Sequence, residues 1–240
     1  MPAEMQTGDP EWNRLIVNGS EILGVHVSEF QVAKFGVHIR ELLLWNRKTN
    51  VTAITEPMEA AIKHVVDSLS ISRWIPPEAS MLDVGSGGGF PGIPLKILMP
   101  SLSVTLIDAS RKKNSFQRHV IRTLGLVDID ARQIRIEEIS KEPNCLHTFS
   151  VIVCRAFTDL ARFIEAALPL LAPSGRLLAM KGRIDDKELD AAADMVSRQK
   201  GDFRSRILFY TLPVIHAERC VYMLESVSPV PTGGPCSLPA

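Results

Sequence analysis

The hydrophobic pattern along the chain changes near residue 80. Before that point, apolar residues recur at helical spacing, and the region 12–75 is predicted to be helical. A polar break, WNRKTNVT at 45–52, interrupts it, and a second helix is expected after Pro57. The apolar face of the first part is predicted to comprise Phe30, Phe35, Ile39, Leu42 and Leu43.

From residue 80 onward, short β-rich runs alternate with helical stretches. This alternation is typical of β-α units on a mostly parallel sheet. Strands are predicted at 80–84, 103–108, 127–132, 150–155 and 175–181, with helices at 91–99, 110–124, 159–171 and 185–199. Two last strands, at 206–213 and 219–226, follow each other without a helix. They predict an antiparallel hairpin at the end of the sheet.

Composition and length bound the domain organisation. The 240 residues are 45% hydrophobic and 22% charged, which fits one large folded domain or one domain with an extension. We expect an N-terminal helical extension at 1–79, a ligand-binding domain at 80–226 and a flexible, proline-rich tail at 227–240. Residues 1–12 are also expected to form a loose terminus.

The charge balance excludes one class of protein. There are 27 basic and 27 acidic residues, so the net charge is zero and a histone-like nucleic-acid binder is excluded. The four cysteines show neither a CxxC pair nor metal-ligand spacing, and no apolar run is long enough for a membrane span. A cytoplasmic protein without a signal peptide, metal, disulfide or membrane partner is therefore expected.

The most informative motif is the glycine-rich turn DVGSGGGFPG, Asp83–Gly92. It follows an apolar strand and precedes a helix, which is the setting in which glycine turns bind nucleotide-like ligands. Asp108 ends the next strand, 23 residues after Gly85, where a carboxylate can accept both ribose hydroxyls.

The glycine spacing favours one ligand over another. A dinucleotide fingerprint starting at Gly85 would need glycine at 90, where Phe90 stands. Glycines at 85, 87 and 89 after Asp83 give the DxGxGxG pattern of S-adenosylmethionine (SAM) enzymes. Asp83 could contribute an acidic environment for the amino group of that ligand. A glycine-rich turn without a ligand is the alternative.

Several segments together resemble the bacterial small-subunit ribosomal RNA methyltransferase G family, also called glucose-inhibited division protein B. They lie in family order over roughly residues 20–225. The segments are WNRKTNVT (45–52), HVVDS (64–68), LDVGSGGGFPGIPL (82–95), TLIDASRKK (105–113), RIEEI (135–139), CRAF (154–157) and MKG (180–182).

The resemblance implies a class I SAM-dependent methyltransferase with a seven-stranded, Rossmann-like sheet and an antiparallel last strand. It implies methylation of N7 of a guanine in 16S ribosomal RNA, with that RNA or the small ribosomal subunit as partner, by an enzyme expected to be a monomer. The cofactor-site residues expected from the turn and the family motifs are Asp83, Gly85, Gly87, Phe90, Asp108, Ile136, Glu137 and Arg155.

The candidate catalytic residues are Arg155, Lys181, Asn46 and His64. Arg155 and Lys181 end predicted parallel strands, so they are expected to face the ligand crevice. An ion pair of Arg155 with Asp159, a solvated Lys181, a surface His64–Asp67 pair and a capping role for Asn46 are the alternatives. Guanine N7 carries a lone pair and no proton, so its methylation needs orientation more than a general base.

Other reactions predict other residues. Adenine amino methylation usually brings an Asn-Pro-Pro-aromatic signature after the fourth strand, and here that strand ends in CRAF. Cytosine C5 methylation needs a cysteine, but Cys154 lies in an apolar run typical of packing. A NAD-dependent oxidoreductase and a non-catalytic ribosome-assembly protein that binds RNA stay open as further alternatives.

One predicted helix concentrates positive charge. Residues 110–122 contain five basic side chains and no acidic one, beginning just after Asp108. Such a patch can bind RNA phosphates, or it can be a solvated helix face. The RNA-binding candidates are Arg111, Lys112, Lys113, Arg118 and Arg122.

Overall fold

A computed structural model describes residues 6–157 and 159–227. Seven strands form one sheet in the order β3-β2-β1-β4-β5-β7-β6. They are β1 Ser80–Val84, β2 Ser103–Ile107, β3 Ile129–Arg132, β4 Phe149–Arg155, β5 Leu171–Lys181, β6 Phe203–Leu212 and β7 Ala217–Ser226. The pairs from β3 to β5 are parallel, and β7 is antiparallel to both β5 and β6. The predicted mostly parallel sheet with an antiparallel last strand is confirmed.

Helices cover both faces of this sheet. They are α1 Pro10–Ile22, α2 Glu29–Thr49, α3 Pro57–Ala60, α4 Asp67–Leu69, α5 Gly92–Leu98, α6 Arg111–Leu124, α7 Ile136–Ile139, α8 Leu160–Ala167 and α9 Asp186–Ser197. A π-helical segment, Ala61–Val66, joins α3 to α4. These three pieces form one continuous helix, the 57–69 helix. Single-turn π segments of this kind occur often at functional sites.

The N-terminal helices share one hydrophobic core with the sheet. Trp12 is fully buried in the same cluster as Met81 and Met223, and its indole Nε1 donates to the carbonyl of Pro57 at 3.0 Å. The expectation that residues 1–12 are loose is therefore wrong from Pro10 onward, because α1 begins there and packs its indole side chain inside. A second cluster, under α7, α8 and α9, covers the opposite face.

One residue of the expected apolar face of α2 lies outside it. Phe35, Ile39 and Leu42 are fully buried, whereas Phe30 is 70% exposed. Phe30 lies in the first turn, which Ser28 and Gln31 cap, and the Lys34 ammonium sits 4.7 Å from its ring centroid. The helical period was therefore right, but the packed face starts one turn later.

The parallel strands bring their carboxyl ends to one edge of the sheet. β1, β2 and β4 are in register as neighbours, so the residues that follow them meet there. β5 starts at Leu171, earlier than the predicted 175, and ends at Lys181 on the same edge. The predicted tail at 227–240 lies, apart from its first residue, outside the described residues, as do residues 1–5 of the predicted extension.

Candidate functional site

The glycine-rich turn opens a space at the carboxyl end of β1. Gly85 has φ +67°, and a Cβ placed there would meet no atom within 4 Å. At Gly92 there is no room for a side chain, because a Cβ there would lie 2.3 Å from Leu106 Cδ2 and 2.7 Å from Asp83 Oδ2. The turn is thus tight where it meets the sheet and open where it faces outward.

The open side of the turn borders a cavity of about 470 Å³, the first cavity. Its apolar walls come from Ile107, Ile134, Ile136 and Phe157, and its acids include Asp108 and Glu137. This combination fits a ligand that has a flat apolar ring and hydroxyl groups, because a few polar groups fix orientation within apolar walls.

Asp108 both lines the first cavity and holds the turn. Its Oδ2 accepts from the Gly87 amide at 3.0 Å, and its Oδ1 accepts from the Ser110 amide at 2.8 Å. The carboxylate is 8% exposed, and each oxygen keeps a second lone pair for a ligand hydroxyl. Lys113 lies 3.8 Å from Oδ2 and adds a positive charge beside it.

Three of the expected cofactor residues, Asp83, Gly87 and Phe90, do not line the first cavity. Asp83 is fully buried, and its Oδ2 accepts from the Gly92 amide at 2.7 Å while Oδ1 has no partner. Burial raises the pKa of Asp83 to about 7. The Gly87 carbonyl accepts from the Gln117 amide at 2.7 Å, and Phe90 is 2% exposed. Gly85, Asp108, Ile136 and Glu137 line the cavity itself.

Phe90 is sandwiched between two imidazole rings. Its centroid lies 4.6 Å from that of His38 and 4.4 Å from that of His64, with near-parallel planes. Burial lowers the pKa of His38 to about 4 and, with help from Arg155, that of His64 to about 2. Both rings are therefore neutral at physiological pH. The stack ties α2, the glycine turn and the 57–69 helix together.

A second cavity, the basic cleft, adjoins the first and shares Phe157 with it. Its volume is about 550 Å³. Its lining comes from the 57–69 helix, the ends of β4 and β5, and the β6–β7 hairpin. The charged groups that line it are Lys63, Asp67, Arg155, Lys181, Arg183 and Arg219. Lys63 pairs with Glu59, and Lys181 pairs with Glu188, so these two charges are balanced locally. The three arginines exceed the single Asp67 carboxylate, which suits a ligand carrying phosphate.

Arg155 lies in this basic cleft and not in the first cavity. Its guanidinium donates to the Lys63 carbonyl and to His64 Nδ1, both at 2.9 Å, and lies 3.7 Å from Asp67 Oδ2. The suggested pairing with Asp159 is wrong, because the Asp159 carboxylate accepts from the Arg162 amide and caps α8. Ala156, at φ +59°, turns the chain so that Phe157 follows into the wall between the cavities.

The contacts of His64 fix its tautomer. Arginine can only donate, so Nδ1 is the bare nitrogen and Nε2 carries the proton, which it donates to Thr52 Oγ1 at 2.9 Å. Both nitrogens are thus engaged, and the ring cannot act as a base.

Asn46 lines neither cavity. Its Oδ1 accepts from the Thr52 amide at 2.9 Å, so it supports the loop that holds His64.

Lys181 and Cys154 both have structural partners. Lys181 lines the basic cleft, where its ammonium pairs with Glu188, and its side chain is 9% exposed. Cys154 is 1% exposed in the second core cluster, and burial raises the pKa of its thiol well above the ordinary value. A thiolate nucleophile at Cys154 is therefore excluded.

The basic residues of α6 are spread along the helix and do not form one patch beside the first cavity. Arg111, Arg118 and Arg122 lie on one stripe of the helix, because they are seven and four residues apart. Arg122 is about 16 Å along the axis from Arg111, at the end remote from the first cavity. Arg118 donates to the Ala131 carbonyl at 2.9 Å, and Lys113 turns toward Asp108. Arg111 and Lys112 are the exposed cations at the cavity end.

Sequence reasoning did not select the hairpin residues of the cleft. Tyr210 of β6 donates to Asp67 Oδ1 at 2.7 Å, and Arg219 of β7 lies 3.8 Å from the same oxygen. The alternation of side chains along a strand could have indicated Tyr210. It shares a strand face with Leu208 and Leu212, and all three pack on the first core.

The described part of the chain contains neither a metal-binding cluster nor a membrane-spanning helix. Residues 6–157 and 159–227 hold no cluster of three or more histidine, cysteine or acidic side chains placed to bind a metal ion. None of the helices in these ranges combines the length and the apolar character that a membrane crossing requires.

Comparison of folds shows methyltransferase architecture. A SAM-dependent methyltransferase from Aquifex aeolicus matches with a TM-score of 0.53 at 16% identity, covering 70% of this chain and 93% of that one. A Corynebacterium glutamicum protein matches with a TM-score of 0.57 at 13% identity over 91% of this chain and 97% of its own. At these identities the likeness concerns the fold alone.

Sequence relatives are closer. A ribosomal RNA small subunit methyltransferase G from Geotalea uraniireducens is 41% identical over 215 residues, 90% of this chain and 97% of the relative. The protein of that name from Geobacter sulfurreducens is 42% identical over 201 residues, 83% of this chain and 91% of the relative. The family model for rRNA small subunit methyltransferase G matches residues 31–207. The chain therefore belongs to the rRNA small subunit methyltransferase G family.

Proposed function

We propose that this protein transfers the methyl group of S-adenosyl-L-methionine to N7 of a guanine in small-subunit (16S) ribosomal RNA. The observation that carries the proposal is a pair of adjoining cavities at the carboxyl ends of β1, β2, β4 and β5. One has apolar walls and the Asp108 carboxylate, which can accept from ribose hydroxyls, and the other is basic. Family membership supports an RNA substrate, with no support for an oxidoreductase or a non-catalytic assembly protein.

The first cavity fits the cofactor. A side chain at Gly85 would project into it, so the glycine leaves room for a ligand against the backbone. Ile107, Ile134 and Ile136 would pack on the adenine, and Asp108 would accept from the ribose hydroxyls. Glu137 would lie at the rim of the cavity, where it pairs with Arg162. When bound, S-adenosyl-L-methionine supplies an electrophilic methyl group on a positively charged sulfur.

The basic cleft would hold the target nucleotide. Arg183 is exposed and Arg219 half-buried, so both can meet phosphate, while Arg155 is fixed by the 57–69 helix. Phe157, which borders both cavities, would lie where the base meets the methyl donor. Orientation of this kind can supply roughly 7–11 kcal/mol of the barrier in favourable cases.

The side chains around Arg155 favour N7 over atoms that need deprotonation. His64 is neutral with both nitrogens engaged, and Cys154 is buried and protonated. Guanine N7 needs neither a base nor a nucleophilic thiol, so the states of His64 and Cys154 match this reaction. We further propose that the enzyme acts as a monomer in the cytoplasm, with RNA phosphates meeting Arg111 and Lys112.

The test is methylation with isotopically labelled S-adenosyl-L-methionine and unmodified small-subunit RNA, free and within subunits. Digestion and mass analysis should show 7-methylguanosine as the labelled nucleoside. Label in 5-methylcytosine or in methylated adenosine would contradict the proposal, and tight RNA binding without label would indicate the non-catalytic alternative.

A further inference from the structure

One carboxylate stands among the cations of the basic cleft. Asp67 is 5% exposed and lines this cleft from the 57–69 helix. Its Oδ1 accepts from the Tyr210 hydroxyl at 2.7 Å. Its Oδ2 lies 3.7 Å from Arg155 Nη1, beyond hydrogen-bond distance, and accepts no hydrogen bond from any residue in the described ranges. Tyr210 therefore uses one lone pair of Oδ1, so that each carboxylate oxygen keeps at least one lone pair for a ligand.

The side chain of Asp67 reaches the surface of the cleft. It lines the basic cleft and is 7% exposed, whereas Asp83 is fully buried and its Oδ1 has no partner. Burial raises the pKa of Asp67, and Arg155, Tyr210 and Arg219 oppose that rise. Arg155 and Arg219 each lie within 4 Å of a carboxylate oxygen and favour the ionised form of this side chain.

We propose that Asp67 reads the Watson–Crick edge of the target guanine and so determines the base specificity of the methylation, an inference that rests on the proposed function. Guanine presents two neighbouring donors on that edge, N1–H and the 2-amino group, and a carboxylate accepts from both. Adenine and cytosine present a ring-nitrogen acceptor there, which a carboxylate repels. Uracil presents a single donor.

The position of Asp67 agrees with attack by N7. N7 lies on the Hoogsteen edge of guanine, across the purine from the 2-amino group. Tyr210, which donates to Asp67, belongs to β6, beyond β5 and β7 in the sheet, whereas Phe157 follows β4 and borders the first cavity. A guanine whose 2-amino group met Asp67 would direct N7 away from Tyr210, and Phe157 lines the part of the cleft that adjoins the first cavity. The target base must be unpaired for this contact to form.

The test replaces the base and the carboxylate separately. Small-subunit RNA is assembled by ligation with guanosine or inosine at the position that the wild-type protein methylates. Inosine keeps N7 and N1–H but lacks the 2-amino group. The wild type should prefer guanosine over inosine by about tenfold or more in kcat/KM, because the lost donor leaves a buried acceptor unpaired. Asp67→Asn should reduce that preference to near unity.

The controls separate base reading from support of Arg155. If Asp67 only positioned Arg155, then Asp67→Asn would lower both rates equally and keep the wild-type preference, which would overturn the proposal. Equal wild-type rates on the two RNAs would overturn it without any variant. Tyr210→Phe keeps the carboxylate and should keep the preference, and Asp194→Asn, the same change on the exposed face of α9, should alter nothing. Affinity for S-adenosyl-L-methionine, measured calorimetrically, checks the fold of each variant.

The outcomes also distinguish this inference from the proposed function. A wild-type protein that methylates no guanine in any RNA removes the proposed function and this inference with it. A wild-type protein that forms 7-methylguanosine while Asp67→Asn retains the guanosine preference removes this inference alone.

Discussion

At the scale of single residues, carboxylates at the ends of neighbouring strands have different tasks. Asp108 faces the first cavity and holds the turn through two amides, while Asp83 is sealed beneath it. Their sequence contexts are alike, since both lie at the carboxyl end of an apolar run: Asp83 is the fourth residue of β1, and Asp108 follows β2. The difference comes from the turn itself, which covers Asp83 when Gly92 packs against it.

We expect Asp108→Asn to weaken binding of S-adenosyl-L-methionine by roughly 10- to 100-fold, since hydrogen bonds to a charged acceptor contribute about 1.5–3 kcal/mol. The side-chain amide of the asparagine could also face the Gly87 N–H, from which Oδ2 now accepts a hydrogen bond. Isothermal titration calorimetry measures the change. Asp130→Asn, at an exposed position of β3, is the control and should bind as the wild type does. Unaltered affinity in Asp108→Asn would contradict the assignment.

Asp83 gives a pH dependence of stability. Its pKa is about 7 in the folded state against 3.8 normally, so between these values the folded chain holds a proton that the unfolded chain has lost. The contribution of Asp83 to the free energy of unfolding is therefore fully present below pH 3.8. It falls by about 1.4 kcal/mol per pH unit between pH 3.8 and about pH 7.

Urea unfolding of the wild type and Asp83→Asn at pH 5, 6, 7 and 8 tests this. The wild type should lose stability relative to the variant up to pH 7, and the difference should then level off near pH 8. A difference that does not vary with pH would show that Asp83 ionises normally in the fold. The exposed Asp130→Asn should track the wild type at each pH.

At the scale of elements, α6 divides its charge along its length. Its N-terminal end lies beside the first cavity, and its C-terminal end lies near Ile129, where β3 begins. Arg111 and Lys112 are the exposed cations at the cavity end. The run of five cations in the sequence could not reveal this, because a charge count ignores which turn of the helix each residue occupies.

Reversing charge at the two ends should have unequal effects. Arg111→Glu with Lys112→Glu should raise KM for RNA about tenfold or more at physiological salt and leave affinity for S-adenosyl-L-methionine unchanged, because phosphate contacts are lost. Arg122→Glu should have a much smaller effect. Steady-state methylation at several salt concentrations measures both, and Arg198→Glu with Arg204→Glu, on other exposed elements, controls for net charge. Equal KM values for all variants would exclude α6 from the RNA interface.

At the scale of the whole molecule, one core joins the N-terminal helices to the sheet. We expect Trp12→Ala to lower the free energy of unfolding by about 3–5 kcal/mol, because it empties a fully buried site and removes the bond to Pro57. Unfolding should stay a single transition by fluorescence and circular dichroism. Phe30→Ala, at an exposed position, should cost far less. Two separate transitions would show that the extension is independent.

Much of this architecture followed from pattern alone. The periods of 3.6 and 2 predicted the order of helices and strands, and the glycine turn with Asp108 predicted one edge of the sheet as the ligand site. The contacts of Asp67 with Tyr210 and Arg219 could not be predicted, since these residues lie more than 140 apart in the chain. Phe90 was expected beside the ligand, but the two histidines that enclose it come from separate helices.

The hairpin that completes the basic cleft is also the last part of the described chain to be synthesised. Every residue that lines the first cavity has been added once the ribosome reaches residue 162, but the cleft waits for Tyr210 and Arg219. A nascent chain therefore contains the whole lining of the first cavity before it contains the hairpin residues of the basic cleft. A member of a family that modifies ribosomal RNA completes this cleft only when its own ribosome has added residue 219 of 240.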